Sequence, residues 1–287
     1  GRFRSVLVPL ANPARAGGLA SLASALAPQQ AGRVLLHQVV VANAETGEDD
    51  LRKAMQQGNA ALSNALARTH RAGVKSEILL TVASEPWSEI ARIAREQAVT
   101  SVLLGLAQAP AGEAPADAPG APAHSIDQLM GQLHCNVSVL HAVDDFDLDR
   151  VRRVLIPLSG HNDHDRLRAR VIGTLARKGL DQLRFLHVLA PDAPAAAERR
   201  AAAALQHYVQ DEARGRGDAL VVRAEDAIAE IVAQTSGFDL LVLGVTRQRG
   251  GPSRIGVLLA RMVREASCPV LIISHLPARG DRGGRPF

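Results

Sequence analysis

The run Val6-Leu7-Val8-Pro9-Leu10 recurs 148 residues later as Val154-Leu155-Ile156-Pro157-Leu158. Three further matches follow in the same order. Leu36-His37 recurs as Leu186-His187, Leu103-Leu104-Gly105 as Val242-Leu243-Gly244, and Cys135-Asn136-Val137 as Cys268-Pro269-Val270. Spacing drifts between the matches while their order holds, as in a duplicated domain whose loops differ in length.

Within each copy, short β-branched runs alternate with longer amphipathic segments. Strands are expected near 4–10, 33–40, 76–82, 101–105 and 136–141, and again near 152–158, 182–189, 218–223, 239–244 and 269–274. These are continuous apolar runs, the pattern of parallel strands buried on both faces. Ile126, Leu129, Met130 and Leu133 form one apolar helical stripe. Ile255, Leu258, Leu259, Met262, Val263 and Ala266 form its counterpart. One stripe per helix, facing a sheet, predicts an α/β fold: two doubly wound five-stranded parallel-sheet domains in tandem. The expected domains span 1–143 and 151–276, joined by an Asp-rich linker at 142–150. The Gly/Arg-rich tail 277–287 has the composition of a disordered segment. Asp49 and Asp50 are expected to open one helix, and Asp192 with Pro194 another.

Composition narrows the function classes. Aromatic residues make up 2% of the chain, which argues against nucleic-acid recognition by base stacking. Net charge is +4, unevenly spread: residues 1–145 carry 11 basic against 13 acidic side chains, and 146–287 carry 22 against 16. The basic second half suits an anionic ligand or surface. Cys135 and Cys268 are too few for a disulfide framework and point to a reducing cytosol. No run approaches a membrane span. The chain enters a strand directly after Gly1, which reads as a piece excised from a longer protein.

Ligands of doubly wound sheets bind beyond the carboxyl ends of the strands, where strand order reverses. In the second copy this places Pro157 and Ser159 after the first strand, Val188 after the second, and the loop from Gly244 to Gly256 after the fourth. That loop carries Thr246, Arg247, Arg249 and Gly250. Glycines let backbone approach a ligand closely, and arginines before a helix N-terminus favour an anion. A mobile, basic, solvated loop is the plainer reading of the same composition.

The run from Gly244 through Cys268-Pro269-Val270-Leu271-Ile272-Ile273 resembles the closing segment of universal stress proteins, whose fold is adenine nucleotide alpha hydrolase-like. In the nucleotide-binding members, a glycine, two residues, a second glycine, nine residues and a glycine followed by Ser or Thr hold the phosphates. Gly244 and Gly256 match that pattern, while Arg247 replaces the second glycine and Val257 the hydroxyl. The family's adenosine-contacting aspartate falls on Ser159. The resemblance thus implies an adenine nucleotide, ATP or AMP, in the second domain, with Arg247 and Arg249 as substitute phosphate partners. The first copy departs further: twelve of residues 107–123 are Ala or Pro, Ala123 replaces Gly256, and Ala11 takes the aspartate's place. It reads as a structural partner without a site.

The opening Val6-Leu7-Val8-Pro9-Leu10-Ala11-Asn12-Pro13 resembles the cytosolic C-terminal stress-protein pair of some bacterial amino-acid permeases and cation-coupled transporters. The expected function is therefore a non-catalytic, ligand-sensing regulatory module on the cytosolic side of a membrane-transporter host, self-associating through its stress-protein domains. A free-standing tandem stress protein, a slow ATPase and a ligand-free dimerisation scaffold stay open. Other residues give weaker signals. His161, Asp163, His164 and Asp165 could ligate a metal, but their spacing does not place them on one helix face. His37 and His187 read as buried, hydrogen-bonded histidines, and the two cysteines as packing residues.

Overall fold

The computed structural model describes residues 4–27, 32–43, 45–106, 122–158, 166–246, 261–262 and 264–275. They fall into two compact units, divided after Leu148.

In the first unit β1 (Arg4–Leu10), β2 (Gly32–Val41), β3 (Lys75–Ala83), β4 (Ser101–Leu106) and β5 (Asn136–His141) form a parallel sheet in the order β3-β2-β1-β4-β5. Four helices connect them: α1 (Pro13–Leu26), α2 (Glu48–Arg71), α3 (Pro86–Glu96) and α4 (Pro122–Gln132). The chain moves outward from β1 to β3 and then crosses back to β4. With right-handed crossovers, that reversal puts α1 and α2 on one face and α3 and α4 on the other. Leu7 and Val8 are fully buried in the central strand, and Ile126, Leu129, Met130 and Leu133 are buried as their stripe requires. Each such side chain contributes about 1.5–3 kcal/mol by leaving water.

The second unit repeats the plan. β6 (Arg153–Pro157), β7 (Gln182–Leu189), β8 (Asp218–Arg223), β9 (Leu240–Thr246) and β10 (Val270–His275) take the order β10-β9-β6-β7-β8, all parallel. Its helices are α5 (Arg166–Arg177), α6 (Ala195–Ala213) and α7 (Ala227–Gln234). Most of the predicted stripe from Ile255 to Ala266 lies outside the described residues, although Met262 is fully buried. The tail 277–287 also lies outside them.

Two expectations need correction. The edge strand β3 is not buried on both faces: Ile78 is 48% and Val82 59% exposed. An edge strand has a neighbour on one side only, so the helices need not cover its outer margin. Asp192 does not cap α6, whose N-cap is Pro194 without a side-chain hydrogen bond. The Asp-rich segment 142–150 packs against the first unit. Asp145 donates its N–H to Ala14, Arg15 pairs with Asp144 at 2.6 Å, and Arg68 pairs with Asp147 at 3.5 Å. Leu148 is buried behind them. The acidic residues strap the segment to basic side chains of α1 and α2.

Candidate functional site

The crevice of each unit begins where the sheet's two central strands stop pairing. Among the described residues, β1 and β4 pair only at Val6–Ser101 and Leu7–Val102, and β6 and β9 only at Val154–Leu240 and Leu155–Leu241. Pro9 and Pro157 sit just beyond these pairs; proline lacks the N–H a ladder needs, so a central strand tolerates it where the ladder lapses. The carboxyl ends of both strands are thus free of each other at the reversal of strand order, the usual ligand position in such sheets.

A side chain of the first helix reaches each crevice, and its chemistry differs between the copies. The stripe Leu19, Leu22, Ala23, Leu26 of α1 corresponds to Arg168, Val171, Ile172, Leu175 of α5, and all eight are buried. In the first unit Leu19 Cδ1 lies 2.8 Å from where a Cβ on Gly105 would sit. In the second, Arg168 Nη1 lies 3.0 Å from the same point on Gly244. A Cβ at either glycine would press on the end of the side chain projecting from the helix, which would have to shift to make room.

Arg168 is fully buried, which demands a partner. Its Nη2 and Nε donate to Glu212 of α6 at 2.7 and 3.2 Å, and its guanidinium lies 5.6 Å from the centre of the Tyr208 ring. Sequence reasoning missed this residue. The signal was a charged side chain at i, with apolar ones at i+3, i+4 and i+7, where its duplicate carries leucine.

The predicted site residues divide as follows. Pro157 ends β6, paired with Leu186; Val188 is on β7, paired with Val222; Gly244 is on β9, paired with Ile273. Thr246 closes β9 opposite His275. Ser159, Arg247, Arg249, Gly250, Gly256 and Val257 lie outside the described residues. So do His161, Asp163, His164 and Asp165; among the described residues no group of three His, Cys, Asp or Glu could hold a metal. His187 borders the strand ends: its Nδ1 donates to the carbonyl of Leu158 at 2.7 Å.

A small cavity lies beside Leu19 in the first unit. Where α1 faces the ends of β4 and β5, this cavity measures about 10 Å³ and is lined by Leu19, Leu106, Leu140 and Phe146 among others. That is room for a single water, not a nucleotide. His37 on β2 is fully buried and shares a 2.9 Å hydrogen bond with Thr81. Burial lowers its pKa to about 4, against the opposing pull of Glu89 and with a small push from Arg92. Because the unfolded histidine holds its proton up to about pH 6.5, His37 stabilises the fold fully above that pH. The contribution fades as pH falls toward 4. Denaturation of His37→Leu at pH 7 and pH 4.5 should therefore show a smaller pH-dependent loss than the parent; parallel losses would refute the assignment. Cys268 is buried, and burial raises its thiol to about 11, leaving it unreactive at neutral pH.

Residues 150–274 match the universal stress protein family. No curated protein matches the chain in sequence. A universal stress protein from Archaeoglobus fulgidus is similar in structure, with a TM-score of 0.63 and 14% identity over 95% of this chain and 98% of that one. The cytoplasmic domain of a prokaryotic cation chloride cotransporter is similar too, at a TM-score of 0.60 and 15% identity over 95% of both chains. At these identities the likeness establishes the fold, and the matched segment covers the second sheet but for the last residue of β10. The second unit thus carries the match to the universal stress protein family, and the chain as a whole is a tandem pair of that fold.

Proposed function

We propose that this tandem pair is a non-catalytic regulatory module in which only the second domain senses a ligand, an adenine nucleotide. The carrying observation is the pair of crevices. The first has Leu19 beside Gly105, whereas the second has Arg168 beside Gly244, where the motif of this family begins. The proposed domains are 1–143 and 151–276. Pro157, Ser159 and Val188 would border the base and ribose. Gly244, Thr246, Arg247, Arg249, Gly250, Gly256 and Val257 would form the phosphate side, with guanidinium groups doing what glycine amides do elsewhere in the family. A ligand acts by preferring one of two host conformations.

The host we propose is a bacterial membrane transporter, with the pair on its cytosolic face. Likeness of fold to the cytoplasmic domain of a cation chloride cotransporter supports that reading. Among the described residues no helix is long and apolar enough to cross a membrane, so any anchor would come from the host.

The test is calorimetry and thermal shift with ATP, ADP, AMP, cyclic nucleotides and cyclic dinucleotides, each with and without Mg²⁺. A ligand at about 100 times its Kd adds about 2.7 kcal/mol of stability. The expected result is binding of one of them, weakened at least tenfold by Arg247→Ala. Absence of binding at millimolar concentration would overturn ligand sensing and leave a scaffold.

A further inference from the structure

Four of the six exposed large apolar side chains among the described residues lie along one margin of the first unit: Met55, Leu66, Ile78 and Val82. Their positions follow from the geometry of α2 and β3. Met55, Leu62, Leu66 and Thr69 lie at i, i+7, i+11 and i+14, one line along the helix. Thr69 shares a 2.8 Å hydrogen bond with Ser76 of β3, so that line runs toward β3. Gln38 packs against Gly58 of α2 and pairs in register with Leu80, which puts Ile78, Leu80 and Val82 on the same face. Among the described residues no strand pairs with the outer side of β3. Six consecutive residues, Ile78–Ala83, carry no charge, and Glu77 is held by Arg33 at 2.9 Å.

Proteins ordinarily blunt such an edge with charge, proline or a covering element. The duplicated strand β8 has Asp218 and Arg223 at its ends, and no exposed large apolar side chain appears among the described residues of its unit. The open edge is therefore particular to the first copy.

We propose that this margin is the surface on which a second copy of the chain docks, β3 against β3, antiparallel about a two-fold axis. The edge is complementary to itself. With Leu79 opposite Leu79 of the second copy, all nine residues of β3 find partners: Ile78 faces Leu80, Ser76 faces Val82, and Glu77 faces Thr81. No like charges stand opposite each other. The same axis sets α2 antiparallel to its copy. Its first turn holds Glu48, Asp49 and Asp50, and its last turn Arg68, His70 and Arg71. Asp49 and Asp50 already pair with Arg52 and Lys53, and Arg68 with Asp147, which leaves Glu48 of one copy to face His70 and Arg71 of the other. The contact is isologous and closes at two chains.

Sedimentation velocity of the full chain across a dilution series should give a species of twice the 30.3 kDa chain mass. Ile78→Lys with Val82→Lys, both at exposed positions, should raise the dimer dissociation constant at least a hundredfold with unchanged circular dichroism. In a Cys135→Ser background, Leu79→Cys should form a covalent dimer on oxidation, since directly opposed strand residues lie within disulfide range. Lys75→Cys should not, being roughly 27 Å from its copy in this register. A monomer at every concentration would overturn the proposal and leave the edge to a strand from another protein. A dimer that survives both lysines, or that links equally well through Lys75→Cys, would overturn it too.

Discussion

Glu212→Leu alone should cost about 3–5 kcal/mol of stability, and Arg168→Leu alone a similar amount, because each leaves the other charge buried without its partner. Arg168 is fully buried and the Glu212 side chain 5% exposed, so water cannot take over the lost contact. The double variant Arg168→Leu/Glu212→Leu should recover most of the loss and could exceed the parent by about 1–4 kcal/mol, since desolvation no longer has to be offset. Leucine at this point is what the first copy carries as Leu19, against an equivalent glycine. Urea denaturation of the four proteins closes the cycle. If both single variants lose less than about 1 kcal/mol, the pair is solvated in the way exposed ion pairs are, and no buried charge lines the crevice. The double variant also separates stability from function: if the second domain takes an anion, this well-folded protein should bind it more weakly.

Leu7→Ala and Leu155→Ala should each cost about 2–5 kcal/mol. They occupy the same place in the duplicated central strands and are both fully buried. Truncation removes the transfer energy of three carbons and leaves a cavity in a close-packed layer that relaxes only in part. Similar losses by chemical denaturation would show that both copies keep a core of the same quality, although only one keeps a charged crevice. A negligible loss at Leu7 alone would mean that the first copy has relaxed its core.

Strand and helix positions were legible in the sequence because duplication supplies an internal alignment and parallel strands are continuous apolar runs. Val154–Pro157 and Val270–Ile273 could be placed within a residue on those grounds alone. Gly244 was legible as a point of close approach, since a glycine at the end of a buried strand signals one. What approaches it was not. Arg168 reaches Gly244 from a helix 76 residues earlier in the chain, and Glu212 meets Arg168 from a third element. Local patterning carries no information on such a meeting. The exposed margin of β3 escaped notice for the same reason: Ile78 and Val82 read as core until strand order shows which strand has no outer neighbour. Hydrophobic period and repeat spacing determined the fold, because both are properties of the chain read in order. Which apolar strand is left at an edge, and which charge is buried in a crevice, were decided only by the tertiary structure, because burial depends on what elements distant in sequence bring into contact.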